Sequence, residues 1–77
     1  MEKPKWEYNG DYEVFLKIDG KELARIYYGS NHKRLRYRRA ALYVNTGYPK
    51  SYDQMQLIAN FKDVREAIVA AEEAFGL

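Results

Sequence analysis

The chain has 77 residues, is 47% hydrophobic and 31% charged, and carries a formal net charge of +2 with no cysteine. That length makes a single small domain, 1–77, whose core supplies only a few kcal/mol of net stability, so a homodimer is one way to extend it. The absence of cysteine excludes disulfides and thiolate metal centres, no apolar run reaches the roughly 18 residues of a membrane span, and the start MEKPKWEYNG is too polar for a secretory signal, so a cytoplasmic protein without a membrane partner is expected.

Two hairpin signals come first. Asn9-Gly10 lies between Trp6-Glu7-Tyr8 and Asp11-Tyr12, and Asp19-Gly20 between residues 12–18 and 21–28. Both dipeptides suit a two-residue turn because both residue types tolerate positive φ. A two-residue turn at Asp19-Gly20 sets Lys17 opposite Glu22, Leu16 opposite Leu23 and Tyr12 opposite Tyr27, a sensible set of cross-strand pairs. One face then carries Tyr12, Val14, Leu16, Ile18, Leu23 and Tyr27 and is predicted to be the core face. The other carries Glu13, Phe15, Lys17, Glu22, Ala24 and Ile26.

After Gly29-Ser30 comes the stretch NHKRLRYRRAALYV, residues 31–44. Positions 32–39 hold five Lys/Arg and one His, and the chain then turns apolar at once. Residues 30–50 contain six bases and no acid, whereas 1–29 hold six acids against five bases and 51–77 five acids against two bases. A positive patch on a nearly neutral body follows from that segregation. As a strand the stretch puts Arg34, Arg36 and Arg38 on one side and Leu35, Tyr37, Arg39, Ala41 and Tyr43 on the other. As a helix it would place His32, Lys33 and Arg34 in the first turn, where the dipole disfavours cations. The strand is favoured, with a bulge where the basic half meets the apolar half.

Residues 52–61 read as a further strand with Met55, Leu57, Ala59 and Phe61 alternating inward. A helix follows. Asp63 suits the N-cap, Glu66 completes a capping-box pattern, and Val64, Ala67, Ile68, Ala71 and Phe75 form one apolar stripe. Gly76 is placed to end it. The expected fold is therefore α+β: an antiparallel meander of three to five strands with one C-terminal helix packed on one face, which leaves the other face open.

Catalysis finds little support in these residues. A nucleophile needs an adjacent base, and the only such pair in the sequence is Ser30 and His32 in a polar segment. The acids sit beside turns, in a strand or on the helix surface, where solvation explains them. One His and no Cys make a poor metal site. The glycines mark turns and form no phosphate loop. No enzyme, cofactor or metal is expected.

Binding is better supported. Eight tyrosines in 77 residues exceed what so small a core can bury, and Tyr and Arg are enriched at interfaces. The candidate contact residues are Lys33, Arg34, Arg36, Tyr37, Arg38, Arg39 and Tyr43, aided by Tyr48 and Tyr52. The arginines could neutralise phosphates while bases stack on Tyr37, Tyr43 or Trp6. They could equally anchor on a protein surface, or simply keep a strand solvated.

The stretches WEYNGDYEVFLKIDGKELARI and LIANFKDVREAIVAAEEAF resemble small phage and prophage proteins across the whole chain. The matching residues are Trp6, Tyr12, Leu16, Asp19-Gly20-Lys21, Ile26, Phe61, Glu66-Ala67 and Ala70. The longer segment 31–55 departs from that pattern. The resemblance implies a setting in which such proteins block host machinery by occupying a surface, as anti-CRISPR proteins do. The FKDVREA segment is also similar to the end of three-strand-plus-helix DNA-binding domains. The expected function is a non-enzymatic, anti-CRISPR-like inhibitor that sterically occludes a host nucleic-acid-handling or defence complex. The alternative is a direct, sequence-tolerant nucleic-acid binder that uses residues 32–43.

Overall fold

A computed structural model describes residues 3–10, 12–28, 40–48, 50 and 54–77. Five strands precede one helix: β1 (Lys5–Asn9), β2 (Glu13–Ile18), β3 (Lys21–Tyr27), β4 (Ala40–Asn45), β5 (Met55–Phe61) and α1 (Val64–Ala74). The strands lie side by side in chain order, each antiparallel to the next. This is the α+β meander with a C-terminal helix that the sequence predicts.

The Asp19-Gly20 turn forms as expected. Both residues take positive φ, 51° and 76°, and Ile18 pairs with Lys21 across them. That backbone matches the right-handed twist of the flanking strands. The Asn9-Gly10 turn differs from expectation. Asn9 pairs directly with Glu13, so three residues, 10–12, connect β1 to β2, with Gly10 at φ 67°.

The register of β2 against β3 also needs correction. Lys17 does oppose Glu22, but Leu16 opposes Ala24 and Glu13 opposes Tyr27. Leu23 is an extra residue between these pairs, a β-bulge, and it reverses the facing of everything after it. Ala24 and Ile26 therefore turn into the core, and Tyr27 turns to the opposite face. Tyr12 sits beside Tyr28 instead, which donates its backbone N–H to the Tyr12 carbonyl at 2.8 Å.

The core lies between the sheet and α1. Val14, Leu16, Leu23, Ile26 and Leu42 are its largest fully buried side chains. Burying each contributes about 1.5–3 kcal/mol. Ala24, Ala40, Ala67 and Ala71 are fully buried in the same cluster. Such small side chains let the helix approach the sheet closely.

The helix meets its sequence reading most fully. Asp63 Oδ1 accepts from the Glu66 backbone N–H at 3.0 Å. The Glu66 carboxylate reaches back to the Lys62 N–H at 3.3 Å, one residue before the position a capping box uses. At the other end Leu77 donates to the Glu72 carbonyl and Gly76 to that of Glu73. With Gly76 at φ 70°, this is a Schellman closure.

Two readings of the later strands change. Residues 40–45 form a strand, as favoured, whereas the basic half of that reading, residues 31–39, lies outside the described residues. In β5, Ala59 and Phe61 oppose Leu42 and Ala40 on the core side, but a bulge at Ile58 puts Leu57 opposite Tyr43 on the other face. Leu57 is half exposed there, not inward as the alternation suggested.

Candidate functional site

The face of the sheet away from α1 is built from every second residue of each strand. The pairing lines up Glu7, Phe15, Arg25, Tyr43 and Leu57 in one row across all five strands. Asn9, Glu13, Tyr27, Ala41 and Asn60 form the next row. The centre of this face is a cation among aromatic rings.

Arg25 is held from several sides. Its Nη2 donates to both Glu22 carboxylate oxygens, at 2.8 and 2.7 Å, and Nε adds a third bond at 3.2 Å. Its Nη1 donates to the Tyr27 hydroxyl at 2.8 Å. The guanidinium carbon stands 5.0 Å from the Phe15 ring centre and 5.8 Å from that of Tyr27, within cation–π range. Among the described residues these bonds engage four of the five N–H groups and leave one on Nη1 for an incoming acceptor.

Burial lowers the Arg25 pKa, but the hydrogen bonds to Tyr27 and Glu22 outweigh it, and the net effect raises it above the ordinary value. The group is cationic at any physiological pH.

The rings around it are locked too. Tyr27 and Tyr43 meet edge to face at 5.4 Å, and with Ala41 they form a small second apolar cluster. Lys17 faces both Lys5 and Glu22 in the register, but Glu22 is taken by Arg25. Lys17 pairs diagonally with Glu7 at 3.0 Å and also stands over Phe15. At this end of the face a polar recess of about 120 Å³ is lined by both signs of charge, Lys3, Lys5 and Lys17 with Glu7 and Asp19.

Of the residues singled out from the sequence, Tyr43 lies at the centre of this face. Tyr48 does not. It packs on the helix-side core, edge to face with Phe75 at 5.8 Å. Lys33, Arg34, Arg36, Tyr37, Arg38, Arg39 and Tyr52 lie outside the described residues. In sequence the basic run falls between β3 and β4, which are neighbours in the sheet, Tyr27 pairing with Ala41.

Sequence reasoning missed Arg25 and Glu22 as a site. The available signal was an arginine set among Leu23, Ala24 and Ile26, three residues after a glutamate in the same strand. Reading it required knowing that Leu23 is bulged.

Among the described residues no three His, Asp or Glu side chains cluster in a way that could hold a metal ion. Among them, too, no helix is long and apolar enough to cross a membrane.

The fold class these elements define is an α+β meander with one helix-covered face and one open face. The chain matches no family model, no curated protein and no solved structure.

Proposed function

We propose that this chain is a non-enzymatic, cytoplasmic binding protein of the phage-inhibitor type, which occludes a surface of a host nucleic-acid-handling or defence complex. The observation that supports it most is Arg25. An arginine fixed by Glu22, Phe15 and Tyr27, with one donor unused and Tyr43 and Leu57 beside it, has the composition and rigidity of an interface anchor. Little side-chain entropy is lost when such an anchor docks. The phage setting comes from the resemblance of the hairpin and helix segments.

The test uses purified defence effector complexes loaded with labelled target DNA. Stoichiometric loss of DNA binding by one complex is expected, weakened about tenfold or more by Arg25→Ala with Tyr43→Ala. Full DNA binding by every complex at saturating protein would reject the inhibitor reading.

A second reading is favoured by the six bases and no acid of residues 30–50. In it the chain binds nucleic acid directly and without sequence preference. Affinity for labelled DNA or RNA should then collapse between about 50 and 200 mM salt, and on Arg36→Ala with Arg38→Ala. Absence of binding at the lower salt removes it.

A further inference from the structure

The outer edge of β5 and the helix beside it carry a different feature, which shares Leu57 with the open face. β5 is the last strand of the sheet, and among the described residues nothing pairs with its free edge. Such an edge offers unpaired N–H and C=O groups to any arriving strand, and edges that stay solvated usually carry charge or proline. The opposite edge, β1, follows that rule with Lys5 and Glu7. β5, reading MQLIANF, has no charged residue. Leu57 and Ile58 at its middle are 51% and 54% exposed. Next to it α1 leaves Val69 53% exposed. A shallow groove of about 470 Å³ there is lined by Phe61, Val69 and Ala70 and rimmed by Arg65, Glu66 and Glu73.

We infer that this surface is where two copies of the chain meet about a two-fold axis, β5 against β5 and α1 antiparallel to α1. The order of charges selects a second copy as the occupant. Arg65, Val69 and Glu73 are spaced four apart and share one stripe of the helix. Reversed on an antiparallel copy, the stripe reads Glu73, Val69, Arg65. Each Arg65 then faces the other copy's Glu73, and Val69 faces Val69. Such self-complementarity is what a two-fold interface requires.

The two charges are also poorly placed among the described residues. Arg65 lies in the first turn of α1 and Glu73 in the last, each against the helix dipole. Neither makes an ion pair among the described residues. The dimer gives both a partner.

Sedimentation velocity on the full chain, from about 5 to 500 µM, tests this. The wild-type chain is expected to shift from monomer to dimer across that range. Arg65→Glu and Glu73→Arg each suit the helix dipole, so neither should lower helix content, which circular dichroism checks. Each alone sets like charges across the axis and should weaken the dimer roughly tenfold or more. An equimolar mixture of the two variants restores opposite signs in every pair and should dimerise again. Ile58→Lys, at an exposed position, should give monomer with unchanged secondary structure. A wild-type chain that stays monomeric throughout overturns the inference. So does a dimer unmoved by Ile58→Lys and both charge reversals, or one that the mixture fails to restore.

Discussion

Arg25 and Glu22 are three residues apart on β3, yet both side chains stand on the same face of the sheet and close a two-pronged ion pair at 2.7 Å. In a regular strand residues three apart point to opposite faces. The bulge at Leu23 removes that parity and so creates the pair. Arg25→Ala should destabilise the protein by about 1–2 kcal/mol, because the part-buried Glu22 carboxylate loses its paired guanidinium and the Tyr27 hydroxyl loses one hydrogen bond. Arg25→Lys should recover less than half, since an ammonium cannot reproduce the planar fork. Urea unfolding of the three chains measures both. A cost no larger than that of a solvated surface arginine would show that the pair is idle.

The pH dependence of that contribution is set by its sign. The folded pKa of Arg25 is raised, so its stabilising charge is present at every pH below the unfolded value and is lost only as pH climbs through the folded one. The stability difference between wild type and Arg25→Ala should show no alkaline decline between about pH 7 and 9.

The helix ends give separate predictions. Asp63→Ala removes the acceptor for the Glu66 N–H and should cost about 1 kcal/mol, with Asp63→Ser recovering most of it. Gly76→Ala meets no atom within 4 Å, so its cost, also about 1 kcal/mol, comes from the positive φ alone. Thermal melts followed by circular dichroism would expose either effect.

Ala71 is fully buried in the core between helix and sheet. Ala71→Leu inserts volume where none is free and should cost about 1–3 kcal/mol or more, through displacement of α1. Ala71→Gly should also destabilise, by about 1 kcal/mol, through helix propensity. Opposite size changes that both destabilise mark a close-packed seam, and denaturant midpoints would reveal them.

Trp6, the single tryptophan, packs against the core with its indole N–H buried and without a hydrogen-bond partner among the described residues. Its fluorescence should be blue-shifted in the native state and move to longer wavelength on unfolding. Trp6→Phe removes the unsatisfied donor along with some packing, and the two effects offset. A net change below about 1.5 kcal/mol in urea is expected, against several for Trp6→Ala.

The sequence by itself determined what depends on short range. Asp19-Gly20 set its own turn, because the required positive φ belongs to those residues. Asp63, Glu66 and Gly76 set the ends of α1, and the spacing of Ala67 and Ala71 chose its buried side. The meander came from turns placed between β-prone runs. What the sequence did not determine was register. Two bulges, at Leu23 and Ile58, insert one residue each and reverse the facing of the residues beyond them. Neither has a glycine or proline to announce it. The bulge at Leu23 turns Ala24 and Ile26 into the core in place of Tyr27, and the bulge at Ile58 keeps Ala59 and Phe61 on the core side while it turns Leu57 to the open face. Only the tertiary structure therefore assembled Arg25, Glu22 and Tyr27 on the open face, turned Leu57 out of the core, and placed Tyr48 on Phe75. A face is a sum over all paired strands, and a single inserted residue, invisible to local propensity, redirects it.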